Sequence, residues 1–194
     1  FALYDHLINN RNLDASVTGV EIRRELVDFC NRVAKTSGFK GLHFETGSIE
    51  EFTPKKVDML IALHACDTAT DEAIFKGIQS STPVIVVAPC CHKQVRKSME
   101  PANELSPVLK HGIFMERQAE LLTDGLRSLY LELNGYKTRA LEFISSEHTA
   151  KNVMIIAQKS GKNVDKTTVS QQIQKIKESF GIDYHHLEML LNSI

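Results

Sequence analysis

The sequence predicts an α/β fold built on a mainly parallel sheet, closed by an antiparallel hairpin and followed by a helical tail. Two apolar runs, Val57-Asp58-Met59-Leu60-Ile61-Ala62-Leu63 and Pro83-Val84-Ile85-Val86-Val87-Ala88, are each about one strand long and nearly continuous. That is the pattern of parallel strands covered on both faces. A helix-like stretch separates them, giving a strand-helix-strand unit. Both runs stop at side chains a core would not choose, His64-Ala65-Cys66-Asp67 and Pro89-Cys90-Cys91-His92. Ligands bind at the carboxyl ends of strands in open parallel sheets, so these ends mark a candidate site.

The elements follow in order. Residues 1–9 carry apolar side chains at 1, 3, 4, 7 and 8, one helical face. No capping residue precedes them, so the chain is expected to begin inside a helix. Residues 15–22 read as a strand ending at Glu21, and 23–36 as a helix closed by Gly38. Leu42-His43-Phe44-Glu45-Thr46 alternates as a short strand. After the strand at 57–63, Asp67 or Thr68 is placed to cap a helix over 69–80. The polar stretch after His92, broken by Pro101 and Pro107, reads as a loop or lid with one helical turn. A long helix is expected over 116–134, ended by Gly135. Strands at 138–144 and 152–158 are spaced for a hairpin, and residues 166–180 form an amphipathic helix that Gly181 separates from a last helix at 184–191. The domain expectation is an α/β domain over 1–160 and a helical extension over 161–194.

Composition narrows the class. The chain has 194 residues, 42% of them apolar, enough for a real core. A net charge of −1 removes any bulk electrostatic drive toward nucleic acid or membrane but leaves room for a local basic patch. No window reaches the ~20 apolar residues of a membrane span. Four cysteines without disulfide-framework spacing fit a reducing, cytoplasmic setting.

Glu21 points to a nucleotide. A carboxylate at a strand tip can accept hydrogen bonds from both ribose hydroxyls, as adenosine-bearing cofactors require in doubly wound folds. By itself it reads more simply as a solvated loop residue.

The segments Gly19-Val20-Glu21, Phe44-Glu45-Thr46-Gly47-Ser48-Ile49, Leu63-His64-Ala65-Cys66-Asp67-Thr68-Ala69-Thr70-Asp71, Ala88-Pro89-Cys90-Cys91-His92-Lys93 and Glu147-His148-Thr149-Ala150-Lys151-Asn152 occur in this order. In that order the chain resembles class I S-adenosylmethionine-dependent methyltransferases, with a Rossmann-like fold. It is most similar to the branch whose fourth and fifth strands end in His-x-Cys and Cys-Cys-His or Tyr, which includes the tRNA acceptor-stem 2′-O-methyltransferases and uncharacterised bacterial relatives. The resemblance spans residues 1–158. It implies S-adenosylmethionine as cofactor, with Glu21 on the ribose, Ile22 against adenine, Ser48 and Ile49 at the adenine edge, and His64 and Ala65 along the methionine side. It implies an RNA substrate, possible contacts from Cys90, Cys91, Lys93, His148 and Asn152, and no membrane partner. The family's glycine-rich loop would lie immediately before Phe1. The expectation is therefore a sheet lacking its first, central strand in a piece of a longer protein, with weakened cofactor binding and reduced or no activity.

The Cys and His residues admit other readings. Alternation along a strand puts His64 and Cys66 on one side, and Cys90 with His92 on one side, so up to four zinc ligands could converge. The separated Cys-x-x-Cys knuckles of structural zinc sites are absent, so the favoured assignment is buried structural cysteines beside a small-molecule pocket and no metal. A thiolate nucleophile activated by His64 or His92 is a further reading. The alternative function is a non-catalytic or metal-binding module.

Methyl transfer itself asks mainly for alignment of the acceptor and exclusion of water. The catalytic candidates are His64 and His92 as bases, Asp67 as an orienting acceptor and Cys66 on the path to the acceptor. Asp71 reads more simply as a first-turn helix carboxylate. Adjacent His185 and His186 would diverge around a helix and share no metal. Lys93, Arg96, Lys97, Lys110, Arg117, Lys137 and Arg139 form a candidate phosphate-tracking patch or an ordinary solvated surface.

Overall fold

The computed structural model describes residues 1–53, 56–63, 65–101, 104–145, 151–161 and 164–193. The chain divides into two compact units, Phe1–Phe52 and Thr53–Ile194.

The first unit contains α1 (Ala2–Asp5), continued by a π-helical turn over His6–Asn10, then β1 (Val17–Glu21), α2 (Arg24–Thr36) and β2 (Leu42–Thr46). β1 and β2 pair in parallel with Val17 opposite Leu42 and Glu21 opposite Thr46. Parallel pairing of consecutive strands needs a crossover between them, which α2 supplies. Tyr4, Ala34 and Leu42 form the small core. The Asn31 side chain completes the β2 edge, donating from Nδ2 to Phe44 O at 2.9 Å and accepting from Phe44 N at Oδ1 at 2.8 Å. A helix amide thus supplies the pairing that the outer edge of β2 lacks.

The second unit contains β3 (Met59–Leu63), α3 (Thr68–Gln79), β4 (Val84–Ala88), α4 (Lys93–Ser98), α5 (Ser106–Leu109), α6 (Gly112–Leu133), β5 (Tyr136–Glu142), β6 (Val153–Lys159), α7 (Lys166–Phe180) and α8 (His186–Leu191). Its sheet has the order β3-β4-β6-β5. β3 and β4 are parallel, with Leu63 opposite Ala88, and β6 lies antiparallel between β4 and β5. The hairpin expected at the end of the α/β region is therefore present, with its second strand inserted beside β4. The fold is the mixed α/β class that the sequence predicts.

The two sheets are separate, so direct pairing of the Glu21 strand with the Leu63 strand does not occur among the described residues. The expectation that both apolar runs are covered on both faces is met on one face only: on β4 Ile85 and Val87 are buried in the core, while Val84 and Val86 on the other face are half-buried. Leu60 and Ala62 join the core, whereas Met59, Ile61 and Leu63 on the other face remain exposed. β3 is the edge strand of its sheet and packs its helices on one side only.

The core of this unit runs from Ile74 on α3 through Ile85 and Val87 on β4, Leu126 and Leu131 on α6, and Ile155 on β6. Ile173, Ile182 and Leu187 enter the same cluster, so the helical tail shares this core. Gly77 lets α3 lie against β4, since a Cβ there would stand 2.6 Å from Ile85 Cδ1. The expected loop after His92 holds two short helices, α4 and α5, and the long helix begins at Gly112, four residues earlier than its apolar spacing suggested.

Candidate functional site

Because Leu63 and Ala88 are in register, the segments after β3 and β4 leave the sheet side by side. They bring three thiols together. Cys66 Sγ lies 3.6 Å from Cys90 Sγ, and Cys90 Sγ lies 3.7 Å from Cys91 Sγ. All three sulfurs lie within 4.8 Å of one another. None of the cysteines is in a disulfide, and Cys66 is exposed while Cys90 and Cys91 are half-buried. Burial, followed by the neighbouring Cys66 and Cys91 thiols, pushes the Cys90 thiol up to about 12. A thiol held protonated in this way is a poor nucleophile, which counts against the activated-thiolate reading for Cys90.

Behind the thiols sits an ionic chain that the motif reading does not contain. Arg127 on α6 is fully buried; its Nε donates to Asp71 Oδ1 at 2.8 Å and its Nη2 to Asp71 Oδ2 at 3.1 Å. Nη1 donates to Asp124 Oδ1 at 3.0 Å and Nη2 also to the Asp67 carbonyl at 2.8 Å. Asp124 Oδ2 in turn lies 3.2 Å from His92 Nε2. Burial alone would lower the Arg127 guanidinium, but Asp71 and Asp124 outweigh it, so the group is held firmly charged.

Asp71 stands in the first turn of α3, as expected, and is at the same time the buried partner of Arg127. A signal for this was present: Ala119, Thr123, Arg127 and Leu131 share one helical stripe, so Arg127 stands at a core position.

Asp67 departs from its expected capping role. It precedes α3 with φ 54° and ψ −118°, and its side chain caps no N–H of α3. Oδ1 instead accepts from the Gln94 amide at 3.1 Å. Thr70 Oγ1 donates to Ala65 O at 2.5 Å, closing the turn before the helix from the other side.

His92 is only 3% exposed, braced by Asp124 through Nε2, with Nδ1 buried and unpartnered among the described residues. Its burial suits an anchor of the β4 loop better than a base open to solvent. His64, expected on the methionine side and as a base, lies outside the described residues, as does His148.

The other candidates are placed as follows. Lys93 is exposed at the start of α4. Asn152 is 4% exposed and donates from Nδ2 to Ile144 O at 2.8 Å, so it braces the β5–β6 hairpin. Two members of the basic set face acids, Arg96 at 3.7 Å from Glu116 and Arg117 at 3.3 Å from Glu120, which weakens the case for a continuous patch. His185 and His186 do diverge. His185 is buried, and His186 Nε2 lies 2.9 Å from Glu72 Oε1.

In the first unit Glu21 stands at the carboxyl end of β1, and Gly47 N donates to its carbonyl at 3.2 Å, bringing the β2 end alongside. Arg23 grips the Glu21 carboxylate, with Nε to Oε1 at 2.9 Å, Nη2 to Oε2 at 3.1 Å and the backbone N–H to Oε1 at 3.1 Å. These bonds, the side-chain one first, hold the carboxyl down to about 2. Ile22 is 71% exposed, an apolar surface open at the same strand end. Ser48 Oγ accepts from Glu51 N at 3.2 Å and so shapes the turn after β2, with Ile49 half-buried beside it. Arg23 is the residue the motif reading missed.

The geometry is thus a carboxylate, an apolar side chain and a hydroxyl-bearing turn at the carboxyl ends of β1 and β2. Residues 1–98, which include all of these and the thiols, match the family model described as a methyltransferase domain. The chain belongs to that methyltransferase family. The cofactor that membership implies is S-adenosylmethionine.

Solved structures similar to this methyltransferase domain include the methyltransferase domain of bacterial CtHen1-C, at 13% identity over 75% of this chain and 78% of that one, with a TM-score of 0.47. The YcgJ protein from Bacillus subtilis is 11% identical over 76% and 83%, with a TM-score of 0.40. The CMeT domain of the citrinin polyketide synthase is 13% identical over 79% and 41%, with a TM-score of 0.43. No curated protein matches. Among the described residues, no helix of the methyltransferase domain is long and apolar enough to cross a membrane.

Proposed function

We propose that this chain is the catalytic domain of an S-adenosylmethionine-dependent methyltransferase with RNA as the leading substrate class, tRNA among the candidates. The observation that carries the cofactor assignment is Glu21 at the carboxyl end of β1, ionised and flanked by exposed Ile22 and the Ser48 turn. These residues fit the adenosine half of the cofactor: carboxylate oxygens for ribose hydroxyls, an apolar wall and a polar turn for adenine. Arg23 keeps the carboxylate charged and turned, and it must share the oxygens with a ribose. The RNA preference rests on the resemblance to the tRNA-modifying branch and on exposed Lys93 beside the β4 loop.

The bound cofactor supplies an activated methyl group on a sulfonium. What remains for the protein is to orient the acceptor and keep water away. In this reading Asp67 and His92, both tied to Arg127 directly or through Asp124, hold the loops after β3 and β4 in fixed positions. By the resemblance, Ala65, Cys66, Cys90, Cys91 and Lys93 of the second unit are the residues offered to the acceptor, and His64, by its sequence position, is the proton acceptor for a ribose hydroxyl.

Calorimetry with S-adenosylhomocysteine tests the cofactor assignment on the native protein and on Glu21→Ala. Saturable binding that the substitution weakens by at least tenfold is expected; absence of binding to the intact protein overturns it. Methyl incorporation into total tRNA, compared with protein and small-molecule pools, decides the acceptor class.

A further inference from the structure

The three thiols at the carboxyl ends of β3 and β4 have no part in holding adenosine, and their geometry suggests a separate task. We propose that Cys66, Cys90 and Cys91 form a three-thiolate zinc site with one coordination position left open.

Distance is the first argument. Zinc binds thiolate sulfur at about 2.3 Å in tetrahedral geometry, which sets sulfur-to-sulfur edges at about 3.8 Å. The two measured edges are 3.6 and 3.7 Å, and the third falls inside 4.8 Å. A disulfide needs its sulfurs at about 2.05 Å, much closer than any pair here. Three soft donors within reach of one point are the ligand set that favours zinc over hard, oxygen-seeking cations.

Preorganisation is the second. Asp67, next to Cys66, is fixed through its carbonyl by Arg127 and through its carboxylate by Gln94 N. His92, next to Cys91, is fixed by Asp124, which the same Arg127 holds. Both loops are therefore anchored to one buried guanidinium on α6, and the ligand atoms are held in place before any ion arrives. A supporting shell of this kind is what keeps a metal site's ligands in productive geometry.

Charge is the third. A divalent cation binds sulfur in its thiolate form and offsets the negative charge that three such sulfurs bring to one point. On binding, three S–Zn bonds form and up to three thiol protons pass to solvent, with no electron transferred. The ion joins the ends of two adjacent strands, and its fourth position accepts water or a lone-pair donor from an acceptor molecule.

The test uses native protein purified under reducing conditions without chelator. Elemental analysis is expected to find one zinc per chain, and cobalt(II) exchanged into the site to show thiolate-to-cobalt charge-transfer absorption with tetrahedral visible bands. Cys66→Ser, Cys90→Ser and Cys91→Ser should each weaken zinc on the order of 100-fold in competition with a chromophoric chelator, while Cys30→Ser on α2 leaves affinity unchanged. The wild-type cobalt spectrum keeps the test decisive if a serine variant fails to fold. No zinc together with no charge-transfer band overturns the proposal. S-adenosylhomocysteine binding, measured on the same samples, reports on the methyltransferase reading independently.

Discussion

Arg127 and Asp71 form a two-bond ion pair at 2.8 and 3.1 Å with the guanidinium fully buried and the carboxylate 2% exposed. The pair joins α6 to the first turn of α3, and through Asp67 and Asp124 it reaches both strand-end loops. A buried pair adds little net stability over an apolar replacement, but losing one member leaves an uncompensated charge in the core.

Arg127→Ala is accordingly expected to cost about 3–5 kcal/mol in urea unfolding. Replacing both members, as in Arg127→Met with Asp71→Leu, should recover most of that loss while loosening the loops that Asp67 and His92 anchor. Recovery of stability without recovery of zinc or cofactor affinity would mark the pair as a positioning device.

Glu21 offers a pH prediction. Its carboxyl falls from 4.5 to about 2, the Arg23 side-chain hydrogen bond being the largest cause. A depressed carboxyl contributes stability that is present above its unfolded pKa and is lost as pH falls through about 2. Carboxyl-carbon NMR titration of Arg23→Ala is expected to return Glu21 toward its ordinary range. A titration still centred near 2 would assign the shift to the backbone instead.

His185 also loses stability as pH falls, but in a higher pH window than Glu21. Burial, its largest cause, lowers the imidazole from 6.5 to about 4, against the pull of Asp71 and Glu188. The unfolded chain therefore binds a proton between those limits that the folded chain does not. Stability is full above pH 6.5 and falls as pH drops toward 4, by about 3 kcal/mol. Chemical unfolding across that window should show the slope, and His185→Leu should flatten it.

In metal-free protein, Cys90 should alkylate far more slowly than exposed Cys66 at pH 8, by at least about tenfold, because its thiol is held near 12. Peptide mass spectrometry after timed iodoacetamide exposure reads this directly. Equal rates would mean that the thiols separate in solution.

Gly181 ends α7 in the left-handed region at φ 61°, and an added Cβ would stand 2.5 Å from the Glu100 carbonyl oxygen. Gly181→Ala is expected to cost about 1–3 kcal/mol and to lower the melting temperature, since neither the backbone angle nor the neighbouring backbone can give way.

Much of the architecture was legible from residue order because it is written in local periodicity. The helix over Lys166–Phe180 and the strand Leu42–Thr46 fall on the expected residues, since a helical or alternating apolar pattern bounded by Gly or polar residues is a short-range signal. The neighbouring ends of β3 and β4 were legible for the same reason, as two apolar runs stopping at Cys and His. Less was legible at Asp67, whose cap-like position suggested a bond to its own helix. Its positive φ turns the carboxylate to Gln94, 27 residues away. Ser48 and Asn152 likewise spend polar atoms on their own turns.

The order of residues by itself determined the α/β class, the strand and helix succession, the family's motifs and the placement of acidic and thiol side chains at strand ends. Only the tertiary structure decided which of those side chains meet: the trio Cys66, Cys90 and Cys91, the grip of Arg23 on Glu21, and the chain from His92 through Asp124 and Arg127 to Asp71. The physical reason is range. Periodicity records which face of an element turns inward, whereas a contact between Arg127 and Asp71, 56 residues apart, exists only once two helices pack and a buried charge must find its partner.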